Sequence, residues 1–253
     1  LMDHLPDGKH VFHLAGFQQP TPRKPILIAN VTRNPAGRVT EQQKLVAPNA
    51  TINVNTNSLT ADGPGALAIH RPNKNSATGY ASPLSFHPTP KTDAPLVFIQ
   101  TNFDQTLRAN SESKTMDITG NVRAVYVPVS SFDQSYNPDD QKTPPDAFRL
   151  SCTTLTMNQW TPQATGKKQS ELRAQGNARI ISNQFTATAH EVRYDQGNDY
   201  LYLEGSARSD ATLQTVSETG GKSARLVAEK IRYRPSDNST KIENMKRATM
   251  RNR

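Results

Sequence analysis

The chain has 253 residues, a formal net charge of +8 and only 34% hydrophobic residues, so it can bury a thin core but not a thick globule. Its 18 prolines and 13 glycines exclude a protein of long helices and predict many short strands joined by turns. The single cysteine excludes an intrachain disulfide, and no run of about 18 apolar residues is present that would predict a membrane-spanning helix.

Residues 1–25 are predicted to form one strand and a proline-rich link that continues from an upstream region. The first residues lack the apolar stretch of a signal peptide, so an exported protein would begin further upstream. His4, His10 and His13 are spaced too irregularly for a metal site, because His10 and His13 would point to opposite faces of a strand. We expect them to be surface histidines.

Residues 26–253 are predicted to form one elongated β domain. Alternating or short apolar runs predict its first strands at residues 26–28, 49–54, 59–62, 66–69, 96–99 and 115–127. Two segments rich in Pro, Ser, Thr and Asn, 72–94 and 129–146, are predicted to be loops. Whether residues 1–100 complete the domain or form a second copy of it stays open at this stage.

An internal repeat organises the part of the chain from 100 to 250. Apolar residues alternate, skip one position and alternate again in three segments, 148–157, 185–194 and 224–233. Because side chains alternate between the two faces of a strand, a skip at the same step predicts a β-bulge, or a bend between two sheets, in each segment. Three strands bent at the same place predict stacked, equivalent units.

Each bent strand is followed by a turn and by a return strand, and the return strands carry Leu172, Leu201 with Leu203, and Ile242. A small element recurs at 120–123, 176–179 and 205–208, where glycine is followed three residues later by arginine. A fourth copy at 244–247 has asparagine in the glycine position. Glycine, with asparagine as its usual substitute, predicts a bend or a positive φ at this point.

These motifs resemble the OstA-like domain of bacterial lipopolysaccharide-transport proteins of the LptA and LptC type. The resemblance rests on residues 189–195, 201–207 and 172–178, and on Ile118-Thr-Gly-Asn-Val122 as the cleanest copy of the glycine motif. It implies an open, V-shaped antiparallel β-jelly roll with an apolar cleft that holds acyl chains of lipopolysaccharide or a related glycolipid. It also implies a periplasmic or cell-envelope location, within a longer exported or membrane-anchored chain, and pairing with other such domains through open sheet edges.

The repeated inward positions give the candidates for the cleft and core, which the sequence does not separate from each other. They are Phe148, Leu150, Leu155, Phe185, Val192, Tyr194, Leu226, Ile231 and Tyr233. Four arginines at or next to repeated positions, Arg193, Arg208, Arg232 and Arg247, are the candidates for contacts with anionic head groups at the rim. No cofactor is expected.

The sequence contains no pattern of residues that indicates an enzyme or a metal protein. Cys152 replaces the alanine of the other repeat copies, which predicts a small buried residue and not a nucleophile. His190 has no orienting partner and is expected to be exposed or at the groove rim. Nucleic-acid binding is disfavoured, since Tyr194 and Tyr233 occupy apolar positions of the repeat and are expected in the core.

The sequence leaves two questions open: the role of the basic C-terminal residues and the function of the whole chain. Residues 222–253 contain ten Lys or Arg and three acidic residues, which indicates either an anionic partner or a tail that only aids solubility. The whole chain would also suit a structural module of a large envelope protein that pairs edge to edge without lipid. Retention of a bound ligand would favour glycolipid binding, and self-association of a ligand-free domain would favour the structural module.

Overall fold

The computed structural model describes residues 2–4, 10–15, 25–73, 94–140, 144, 147–161, 169–195, 197–216 and 222–252, the first two ranges by their backbone alone. These residues form seventeen β-strands that belong to one hydrogen-bonded antiparallel sheet. The all-β, antiparallel class that the sequence predicts is therefore confirmed. The predicted loop at 72–94 lies almost entirely outside the described residues.

The strands are numbered in chain order. Their bounds are β1 (Met2–His4), β2 (His10–Ala15), β3 (Ile26–Arg33), β4 (Val39–Ala47), β5 (Asn49–Asn53), β6 (Ser58–Asp62), β7 (Gly65–Pro72), β8 (Leu96–Phe103), β9 (Thr106–Asn110), β10 (Thr115–Val129), β11 (Phe148–Trp160), β12 (Gln169–Ile181), β13 (Phe185–Asp195), β14 (Tyr200–Glu204), β15 (Ala211–Val216), β16 (Lys222–Arg234) and β17 (Ser239–Asn252).

The pairings divide the sheet into two rows. Row 1 runs β3–β4–β7–β8, then through one half of β10, β11, β12 and β13 to β15, and ends on halves of β16 and β17. Row 2 runs β1–β2–β5–β6–β9, then through the other halves of the same long strands and β14. Long strands thus cross both rows, and pairs of short strands such as β6 and β7 do so with a bend between them.

The boundary between the rows coincides with the predicted skips in the repeat. Thr153 in β11 and His190 in β13 lie inside shifts of the strand register, and β16 has its shift at Val227 and Ala228. The glycine prediction is confirmed in two copies, since Gly120 and Gly176 have φ of 83° and 78°. The neighbouring Asn121 and Asn177, and Asn244 in the fourth copy, also have positive φ. In the third copy the strand breaks instead, and the chain turns between β14 and β15.

The inward side chains of both rows form one apolar cluster that extends from Leu45 and Ala47 to Ile231 and Tyr233. A second, smaller cluster lies on the outer face of row 1 and contains Phe98, Val125 and Val127. The predicted loop after β10 covers this outer cluster: Tyr136 packs against Phe98, and the His70 imidazole bonds to the carbonyl of Gln134 at 2.8 Å. The loop prediction is confirmed for residues 130–140, although its packing against the sheet was not foreseen.

Candidate binding site

The nine residues predicted to line a cleft or core all belong to the inner cluster. Eight of them are buried, and Leu226 is partly buried against the others. Phe185 of row 1 and Tyr233 of row 2 are in edge-to-face contact with ring centroids 5.1 Å apart. The Tyr194 hydroxyl donates to Asp199 at 2.9 Å. Around β13–β16, the protein's own side chains therefore fill the space between the rows.

The inner cluster is less covered in its N-terminal half. Leu59, Ala109 and Met116 are directly paired along β6, β9 and β10, and all three are only partly buried. Met157 and Leu172, which continue the same line into β11 and β12, are 1% and 2% exposed. Leu59, Ala109 and Met116 thus form a partly exposed rim of the apolar cluster, which we call the lip. The sequence pattern did not distinguish it from the buried half.

Sequence reasoning also missed a charged residue inside the domain. Arg71 follows Leu67 and Ile69 at every second position of β7, so it shares their inner face, and it is 6% exposed. Burial lowers the pKa of its guanidinium to about 10, while the charges of Tyr126 and Glu41 act in the opposite direction. Arg71 therefore remains protonated at neutral pH. Its position in the sequence, at the end of an apolar run and before a proline, gave no signal of burial.

The four arginines predicted to meet head groups do not form one group. Arg193 and Arg232 lie on the outer face of row 2, with their guanidinium carbons 4.6 and 5.5 Å from the centre of the Tyr202 ring. Arg208 is exposed in the turn between β14 and β15, and Arg247 is exposed on the outer face of row 1. Arg193 and Arg232 point outward because strand alternation sends their neighbours Val192, Tyr194, Ile231 and Tyr233 inward.

Acidic residues balance the arginines on the outer face of row 2. Arg173 donates two hydrogen bonds of 2.8 Å to the carboxylate of Glu191, and Lys230 lies 3.0 Å from Glu204. Burial alone raises the pKa of Glu191, but the hydrogen bonds from Arg173 and Gln175 and the nearby charges lower it overall. The hollow beside Tyr202, about 330 Å³ in volume, is lined by Glu191, Glu204 and Glu243 as well as by cations. Its charges largely cancel.

The remaining candidates for chemistry are explained by burial or exposure. Cys152 is 6% exposed, which confirms the prediction of a small buried residue, and burial raises the pKa of its thiol to about 12. His190 is exposed at the bulge of β13. No three His, Cys, Asp or Glu side chains come together as metal ligands within the described parts of the chain. The side chains of His4, His10 and His13 lie outside the described residues.

Comparison with known proteins adds no family. No family model matches the chain, and no curated protein matches its sequence. Within the ranges that the structure describes, no helix has the length and hydropathy needed to cross a bilayer. The features that bear on function are therefore the two rows, the interior between them and their outer faces.

Proposed function

We propose that this protein is a cell-envelope β protein, similar to OstA-like domains, that holds acyl chains of lipopolysaccharide or a related glycolipid between its two rows of strands. The observation that carries the proposal is the single apolar cluster to which both rows contribute. In the proposed arrangement the rows stand as the two sides of an open V-shaped β-jelly roll. Each methylene of an acyl chain buried there would contribute about 0.8 kcal/mol.

The lip supplies the entry point for such a chain. Leu59, Ala109 and Met116 are apolar, inward-facing and reachable by solvent, a combination absent from the adjoining Met157 and Leu172. An acyl chain entering here would replace water against side chains that already lack full cover. In the C-terminal half, the same chain would first have to separate Phe185 from Tyr233.

A photo-crosslinking experiment tests the acyl-binding proposal. A photo-reactive amino acid at Met116 should capture glycolipid when the protein is irradiated in a cell-envelope extract. At Asp117, the next residue and one that is exposed, it should not. Native mass spectrometry of the unmodified protein, before and after detergent stripping, should show the same ligand mass being lost. Equal capture at both positions, or none at Met116, would refute binding between the rows.

A second function, pairing edge to edge as a structural module, is favoured by the ends of the sheet. Among the described strands, β3 pairs only with β4 and β17 only with β16, so each offers a free edge. The outer face of β3 also exposes Leu27 by 63% and Val31 by 40%, and the strand carries a single charged residue, Arg33 at its end, so most of this edge lacks the charges that usually prevent association.

The edge function predicts concentration-dependent assembly of the ligand-free domain. Light scattering should show oligomers of the unchanged chain and fewer of the double variant Leu27→Lys, Val31→Lys. Val54→Lys, which charges an exposed apolar residue in the β5–β6 turn, is the control and should assemble normally. A monomer at every concentration would rule out the structural module.

A further inference from the structure

The outer face of row 1 differs in charge from the outer face of row 2. Between β11 and β17 its outward positions include the exposed Arg179, Arg225 and Arg247. The described outward residues of these strand halves are otherwise mainly Thr, Ser and Gln, and include no Asp or Glu. The positive charge of this face is therefore not neutralised within the face itself.

A hollow of about 340 Å³ lies at the C-terminal end of this face. It is lined by Gln214, Ser223, Arg225, Val227, Arg247 and Thr249. The register pairs Arg225 with Thr249 and Val227 with Arg247, so the two arginines are diagonal neighbours on adjacent strands. Diagonal neighbours lie about 7–8 Å apart, within the reach of long side chains. Both guanidinium groups can thus reach one ligand in the hollow.

Neither arginine has a partner among the described residues, in hydrogen bonds or in ion pairs. Arg123 occupies the position of Arg247 in an earlier copy of the repeat and, unlike Arg247, forms ion pairs among these residues. Its guanidinium is held by Asp104 at 3.2 Å and by Asp139 at 2.6 Å. The last copy keeps the arginine, and no carboxylate of the described residues pairs with it, which leaves its charge available for an external anion.

We propose that the hollow between Arg225 and Arg247 binds a phosphate group. Two guanidinium groups match the charge of a phosphate monoester, and their paired N–H donors fit its oxygens. Ser223, Thr249 and Gln214 add hydroxyl and amide donors for the remaining oxygens. None of the described residues that line the hollow is aromatic, so they offer no stacking surface of the kind that single-stranded nucleic acids use. This site does not depend on any ligand between the rows.

Two probes distinguish the source of the phosphate. Inorganic pyrophosphate tests a soluble ligand by calorimetry, and vesicles of phosphatidylcholine with phosphatidic acid test a lipid head group by co-sedimentation. We expect saturable binding of at least one probe, weakened by about tenfold or more in Arg225→Gln, Arg247→Gln. Binding of pyrophosphate without vesicles would identify a soluble ligand, binding of vesicles alone would identify the head group, and binding of both would support a phosphate site open to either source.

The control must lose the same net charge at a distant place. Arg33→Gln, Arg38→Gln does so at the end of β3 and in the turn that follows it, and its affinity should stay within about twofold of the unchanged chain. No saturable binding of either probe, or an equal loss in the control, would overturn the proposal. Since all four side chains point outward, circular dichroism should show folded variants. Arg225→Lys, Arg247→Lys, which keeps the charge, should bind with intermediate affinity.

Glycolipid capture at Met116 should be the same in all these variants. The outcome at the hollow is therefore independent of the acyl-binding proposal, and either one can fail without the other.

Discussion

Phe185 and Tyr233 contact each other edge to face at 5.1 Å, although the register places them at opposite ends of the strands. Tyr233 pairs with Leu201, which pairs with Tyr194, nine residues beyond Phe185 on β13. Nine residues of extended strand span about 30 Å, so the contact requires the sheet to fold back on itself at the line of bulges. This one contact fixes how close the two rows come in the C-terminal half.

Removing that contact should destabilise the domain strongly. Phe185 is fully buried, and truncating such a ring leaves a cavity, so Phe185→Ala should lower the free energy of unfolding by about 3–5 kcal/mol. Thr186→Ala, at the next and outward position, should change it by less than about 0.5 kcal/mol. Urea titration followed by circular dichroism measures both. Similar values for the two variants would mean that the rows are not held together by Phe185.

The bulge of β12 gives a second prediction. Gly176 has φ of 78°, and an added Cβ would lie 2.4 Å from the Thr153 hydroxyl oxygen. Gly37 has nearly the same φ, 76°, with no atom within 4 Å of the added carbon. Gly37→Ala should therefore cost only the conformational strain of about 1 kcal/mol, while Gly176→Ala should cost about 1–3 kcal/mol more. Equal melting temperatures for the two variants would show that the bulge of β12 can accommodate the added methyl group without a further loss of stability.

Two buried acids predict the alkaline limit of stability. Burial raises the pKa of the Cys152 thiol from about 9 to about 12, and that of the Tyr233 hydroxyl from about 10 to about 12. The unfolded chain loses these protons first, so stability should be complete below pH 9 and fall as the pH rises towards 12. Cys152→Ala, which restores the repeat residue, should delay the fall to about pH 10. Superimposable denaturation curves for both proteins would contradict a role for the thiol.

The arginines on the outer face of row 2 give a fourth prediction. If Arg193 and Arg232 meet anionic head groups, Arg193→Gln, Arg232→Gln should weaken binding of an anionic glycolipid. Arg33→Gln, Arg38→Gln loses the same charge and should not. The first variant also loses cation–π contacts with Tyr200 and Tyr202, and its free energy of unfolding should drop by about 1–2 kcal/mol. Unchanged glycolipid affinity would remove these two arginines from the binding site.

Much of the fold could be predicted because local physics dictates it. The skip between Ala189 and Val192 marks a bulge that any alternating strand must make to keep both halves buried, and the register shift confirms it. Gly176 marks a backbone conformation that other residues rarely adopt. Such features are written into a few consecutive residues, so the sequence alone predicts them.

The rest depends on contacts between distant residues. Burial of Arg71 depends on residues of other strands, such as Tyr126 and Glu41, and the packing of Tyr136 on Phe98 needs a loop to return onto the sheet; no local pattern encodes either. The separation of Arg193 from Arg247 follows from which side of the bulge each lies on, since the outer faces of the two rows are different surfaces. The sequence identified the arginines but could not assign them to a face.

The order of pairing also bears on how such a protein can change in length. A long strand such as β11, or a pair of short strands such as β6 and β7, crosses both rows. From β4 onward, each of these crossing units pairs with the unit before it and with the unit after it along the chain. Because neighbouring crossing strands are antiparallel, duplicating or deleting a pair of them would lengthen or shorten the interior by about 10 Å and keep the direction of every later strand. The length of the apolar interior can therefore change in fixed steps, each set by one pair of strands.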